Sequence, residues 1–209
     1  MSPDIHLSLI LVAALMASGS PGPATLAIAG TSMAQGRRAG LALASGVTTG
    51  SLCWSAAASF GLGAVMLANA WLFEIARYAG AAYLIFLAWK SARSALARQA
   101  REVPDAAYLS SSGRAYRKGL ALHLTNPKAI LFFGALYSVG IPAGASAIDL
   151  LWIIAAVGLQ SALVFHGYAL LFSSRRMVAC YVRLRRVFEA VFAAAFAAAG
   201  IKILTTRIS

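Results

Sequence analysis

Ala17-Ser18-Gly19-Ser20-Pro21-Gly22-Pro23-Ala24 lies inside an otherwise apolar run from Ile5 to Met33. Two prolines and two glycines within five positions cannot continue an ordinary helix. A helix of about 30 residues would still be more than long enough to cross a bilayer at ~1.5 Å per residue. The interruption therefore falls near mid-membrane, where free backbone groups are tolerated only if they face protein or a wet cavity. A second interruption, Thr125-Asn126-Pro127-Lys128, sits inside the apolar stretch from Ala115 to Gly140. The chain is organised around these two breaks.

Composition sets the surroundings. Of 209 residues, 60% are hydrophobic and 11% charged, where a soluble domain carries roughly 25% charged residues. Mean hydropathy is +0.76. This predicts an all-α integral membrane protein with the lipid bilayer as its surroundings. A net charge of +12 would suit nucleic acid, but the basic residues are confined to Arg37-Arg38, Lys90 to Lys118 and Arg175 to Arg186. That clustering is the mark of cytoplasmic loops, so no nucleic-acid partner is expected. Cys53 lies in an apolar run and Cys180 in a basic connection, which argues against a disulfide. The N-terminus lacks the positive n-region of a cleaved signal peptide, so the first apolar run reads as a retained helix.

Six spans are predicted, over about 5–33, 40–68, 71–89, 115–140, 148–172 and 187–204. The basic clusters Arg37-Arg38, Lys90 to Lys118 and Arg175 to Arg186, following spans one, three and five, hold two, seven and five Lys or Arg; the connections after spans two and four hold none. Both termini are therefore expected outside the cytoplasm. Each half has three spans, the first broken by proline, and an odd number makes the second half enter from the opposite side. The expected architecture is two inverted three-helix repeats, 1–97 and 114–209, joined by a cytoplasmic linker over 98–113. Matched Gly/Pro breaks in two halves are a sequence pointer to a transporter site.

Read as helix starts, Ser20-Pro21 and Asn126-Pro127 each place a capping side chain before a proline suited to the first helical position, with Pro23 third in its helix. Two positive helix N-termini would then meet near the midplane, which suits a carboxylate. Lys128 adds a full charge, at a cost of about 2.5–3.5 kcal/mol on insertion scales. Prolines 21, 23 and 127 cannot bond the carbonyls of Ala17, Gly19 and His123, and Ser18, Ser20, Thr25 and Thr125 add hydroxyls. These acceptors would suit an ammonium group. A small zwitterion, an α-amino acid, matches both inventories, and the substrate-binding set is Ser20, Pro21, Gly22, Pro23, Thr25, Asn126, Pro127 and Lys128. His123 and His166 are the proton-coupling candidates, His123 the better placed. Glu74, Arg77 and Asp149 read as groups near the outer face, and Glu189 as a local ion-pair partner of Arg185 and Arg186. No metal site, cofactor or enzymatic activity is expected, and a homo-oligomer is left open.

Three stretches also resemble the LysE/RhtB family of amino-acid exporters: SPGPATLAIAG (20–30) followed by QGRRAG (35–40), LTNPKAILFF (124–133), and GAAYLIFLAWKSAR (80–93). The resemblance implies efflux of amino acids or derivatives across a bacterial inner membrane, driven by the proton gradient. Carried over by position, its motif residues are Pro21, Gly22 and Pro23 with Asn126, Pro127 and Lys128. No acidic residue is expected at mid-membrane depth, so the expected substrates are net-neutral. Two other classes compete. A membrane thiol/electron carrier would need paired cysteines near the breaks, and a metal-ion exporter would need clustered ligands.

Overall fold

A chain in hydrocarbon must satisfy its backbone polar groups internally, and a helix does this within one segment. The computed structural model describes residues 6–68, 70–97, 111–142 and 145–205, which are helical almost throughout. Seven helices follow in order: α1 (Leu7–Gly19), α2 (Pro23–Ala68), α3 (Ala70–Leu96), α4 (Ser112–Leu124), α5 (Pro127–Gly140), α6 (Ala147–Leu171) and α7 (Arg175–Thr205). Within α2, Gly36 has φ 82° and ψ 177°. That left-handed backbone favours glycine and divides α2 into an arm over 23–35 and a longer arm over 37–68. Apart from 111–113, the expected linker lies outside the described residues.

Two boundaries differ from expectation. The basic turn after the first span is a corner within α2. The connection over 173–186 is mostly helix, so the last helix starts at Arg175 and not at Val187. Arginine is a good helix former, and a run of charges does not end a helix that has left the lipid.

By length and composition, 23–61 and 147–171 can each cross a membrane. The pattern of exposure says more. On α6, Ile148, Trp152, Leu159 and Leu163 are 60%, 63%, 65% and 68% exposed, at spacings that put them on one face. Helix α3 shows Trp71, Ile75, Tyr78, Phe86 and Trp89 in the same way, and α7 shows Val187, Val191 and Ile201. Water would not tolerate such stripes; lipid does. The protein is an all-helical membrane protein.

Inside, glycines let backbones touch. A Cβ on Gly46 would lie 2.0 Å from the Tyr116 carbonyl oxygen, and one on Gly119 would lie 2.2 Å from that of Leu43. This crossing of α2 and α4 carries His123 to the interior, where a Cβ on Gly50 would lie 2.9 Å from the His123 Cβ. Two apolar clusters form the core. One centres on Ile10, Leu84, Phe132, Tyr137, Ile153 and Phe196, the other on Ile28, Leu43, Val47 and Phe165. The two breaks lie on the seam between them.

Candidate functional site

The first break is shaped by short-range bonds. The Ser20 N–H donates to the Met16 carbonyl at 2.9 Å and its Oγ to that of Ala17 at 3.1 Å, closing α1. Ser20 is then extended, with φ −75° and ψ 142°. Helix α2 restarts at Pro23, and Leu26 N–H donates to the Gly22 carbonyl at 2.9 Å. Gly22 is thus the cap. Thr25 Oγ1 accepts from the Gly22 N–H at 2.8 Å, the reach-back half of a capping box. Ser20 therefore does not cap α2, and Pro23 takes the first helical position, not the third. Its missing N–H suits that position.

The second break follows expectation. Asn126 Oδ1 accepts from the Lys128 N–H at 3.1 Å, with Pro127 first in α5. Asn126 N–H donates to the His123 carbonyl at 3.2 Å, tightening the end of α4.

The two breaks bond to each other. Lys128 Nζ donates to the Ser20 carbonyl at 3.3 Å and also to Ser20 Oγ, and it lies 6.0 Å from the Phe196 ring centre. A cavity of about 40 Å³ lies on one side of this contact. Its lining includes the first turns of α2 and α5 (Ala24 and Thr25; Lys128 and Ala129) together with Ser51, His123 and Ser161. A cavity of about 190 Å³ lies on the other side, lined by Lys90, Ser91, Ser94 and Glu189 among others. Ser20, Gly22, Asn126 and Lys128 line both. Thr25 lines the smaller; Pro21, Pro23 and Pro127 line the larger. All eight expected binding residues gather around one contact.

The two histidines part company. His123 is buried and lines the smaller cavity, and neither ring nitrogen has a hydrogen-bond partner among the described residues. His166 lines neither cavity. Its Nε2 pairs with Ser45 Oγ at 3.0 Å and its Nδ1 with the Ala162 carbonyl at 2.8 Å, tying α6 to α2.

The carbonyls expected to hold an ammonium already have protein donors. Ala17 takes Ser20 Oγ. Gly19 takes the Tyr168 hydroxyl at 2.5 Å, and His123 takes Trp54 Nε1 at 3.3 Å in addition to Asn126 N–H. Glu189 is also not the exposed neighbour of Arg186 that its sequence position suggests. It is 4% exposed and accepts from Ser94 Oγ at 2.9 Å, across the α3–α7 packing.

Further polar groups escaped the sequence reading. Ser51 Oγ lies 2.9 Å from Ser161 Oγ, and Ser55 Oγ lies 2.6 Å from the Tyr137 hydroxyl. Ser51, Ser55 and Ser59 recur every four residues and are all buried, so a polar stripe along an apolar helix was the available signal. Cys53 and Cys180 are exposed and line neither cavity. Among the described residues no group of three or more His, Cys, Asp or Glu could hold a metal ion.

A largely apolar cavity with a few converging polar groups, inside a lipid-facing bundle and beside a lysine bonded across two helix breaks, is the arrangement of a membrane transporter. The chain belongs to the LysE type translocator family, whose profile matches residues 15–207. It is 31% identical over 202 residues to the threonine efflux protein of Salmonella typhi, covering 96% of this chain and 97% of that one. Against the threonine efflux protein of Escherichia coli strain K12 the identity is 29% over 204 residues, covering 97% and 98%. The homoserine/homoserine lactone efflux protein of Salmonella typhimurium is 34% identical over 127 residues, covering 61% and 60%. No solved structure matches the chain.

Proposed function

We propose that the protein exports small, net-neutral amino acids or their derivatives from the bacterial cytoplasm, coupled to protons. The observation that carries this reading is the smaller cavity, where the first turns of α2 and α5 and the Lys128 ammonium converge. The α5 end acts through its helix dipole alone, since Pro127 has no N–H and the Lys128 and Ala129 N–H groups both donate to Asn126. The two helix ends and the ammonium give a carboxylate three sources of positive potential. Ser20, Pro21, Gly22, Pro23, Thr25, Asn126, Pro127 and Lys128 form the binding set. His123, which lines the cavity with both ring nitrogens buried and unpartnered among the described residues, is the proton-coupling group; His166 holds α6 against α2. The similarity to threonine and homoserine efflux proteins supports an uncharged side chain.

The topology belongs to the same proposal. Six spans in two inverted repeats, with both termini outside the cytoplasm, bring equivalent parts together: break against break, α3 against α7 and α2 against α6. Reporter fusions at each end test it, and a cytoplasmic signal from either end rules it out.

Export itself is tested by loading cells with dipeptides and following release of the free amino acid. Threonine and homoserine should leave faster from expressing cells, and a protonophore should abolish the difference. Preferential release of lysine or arginine would overturn the net-neutral assignment.

A further inference from the structure

An amino acid has two poles, and the smaller cavity explains one of them. Among the described residues it is lined by no carboxylate, and the carbonyls nearby are bonded to Ser20, Tyr168 and Trp54. The larger cavity differs in chemistry. Glu189, almost wholly buried on α7, faces it together with Lys90 on α3 and Lys128 on α5. Ser94 donates to Glu189 Oε1 and fixes the carboxylate's position. Phe86, Leu87 and Phe196 supply apolar wall. Lys90 and Ser94 belong to the last two turns of α3, next to the basic linker, so this cavity lies toward the side read as cytoplasmic.

We infer that the larger cavity is a loading subsite for a zwitterionic amino acid, separate from the smaller cavity and placed before it. Glu189 receives the substrate ammonium, and Lys128 with Lys90 receives the carboxylate. Burying a carboxylate in a bundle is unfavourable unless it is paired, and a substrate ammonium supplies the pair in the loaded state. Lys128 serves both cavities, because its bond to Ser20 is the partition between them. A substrate carboxylate that competes for the ammonium loosens this bond as it binds. The reading also explains selection against free carboxylic acids, which would add a second negative charge beside Glu189 without an ammonium to offset it.

The inference rests on the exporter reading, and the test separates the two. Everted membrane vesicles from cells expressing the full chain expose the cytoplasmic face, and uptake of labelled L-threonine is measured. The competitor is the hydroxy-acid analogue of threonine, in which a hydroxyl replaces the ammonium. Glu189→Gln should raise KM for threonine at least about tenfold, with kcat within about twofold, because a charge-assisted bond is lost on one pole only. Its affinity for the hydroxy acid should be no weaker than the parent's, and Glu189→Asp should recover part of the threonine KM. Parent values in Glu189→Gln, or equal weakening of both ligands, overturn the inference and leave the exporter reading standing. Should Glu189→Gln not reach the membrane, Glu189→Asp and Ser94→Ala carry the same comparison. A selective rise in threonine KM in either supports the subsite, and parent values in both overturn it. If the parent moves no amino acid, the exporter reading fails and takes the subsite with it.

Discussion

The two proline breaks meet the same requirement by different means. At the first, α1 stops, three residues run without helix, and α2 restarts under a glycine cap held by Thr25. At the second, two residues separate α4 from α5, which starts under the Asn126 side chain. The first break carries no charge and offers a hydroxyl and a carbonyl at Ser20. The second carries the ammonium that reaches them. One break supplies the acceptors and the other the donor, so the site's charge stands on the second break alone.

That contrast can be broken most severely at Lys128. Lys128→Met should lower export by about a hundredfold, since removing one partner of a buried charged contact costs about 2–5 kcal/mol. Ser20→Ala should lower it only a few-fold, roughly 1 kcal/mol, because the Ser20 carbonyl still accepts from Lys128. Equal losses in a dipeptide-loading efflux assay would show that the breaks are equivalent. A smaller effect is expected at the histidines. His123→Gln should reduce uphill export about tenfold, ~1.4 kcal/mol, and spare downhill exchange. His166→Gln should disturb both modes alike, as loss of a helix tie would.

The caps come next. Asn126→Ala should destabilise the detergent-solubilised protein by about 1 kcal/mol. Thr25→Val should cost roughly half as much, because it loses one hydrogen bond and the Gly22 cap remains. Thermal unfolding compares them directly, and the reverse order would mean that the first break is the more firmly capped. The smallest effect belongs to the cysteines. Cys53→Ser with Cys180→Ser should leave export at the parent rate, and a marked loss would revive the thiol-carrier reading.

The apolar runs and both breaks were legible in the sequence because span length and proline chemistry are local properties. The Asn126 cap was legible for the same reason. The start of α2 was not, because either Pro21 or Pro23 can open a helix, and Thr25 decides between them by a bond to Gly22. Glu189 was misread because its nearest charges in sequence, Arg185 and Arg186, suggested a surface pair. Its hydrogen-bond donor, Ser94, stands 95 residues away. The acceptor carbonyls failed likewise: Tyr168 and Gly19 are 149 residues apart. Long-range donors cannot be read from a break alone. The basic connection was misplaced for a different reason, since charge marks the edge of lipid and not the end of a helix.

The corner at Gly36 gives the arm over 23–35 a mechanical character. It is a stiff rod about 20 Å long at ~1.5 Å per residue, jointed at one end by the unwound Pro21-Gly22 and at the other by Gly36. A swing of about ten degrees about the Gly36 joint would carry its Pro23 end roughly 3.5 Å, as a lever of that length requires. That is more than a hydrogen bond's reach. Among the described residues nothing beyond its chain neighbours and local helix backbone lies within 4 Å of where a Cβ on Gly36 would sit, so Gly36→Ala loads the hinge through the backbone alone. Alanine at this positive φ with extended ψ, a region held essentially by glycine, is strained by about 1–3 kcal/mol, which is enough to bias the rod's resting angle without touching the cavities.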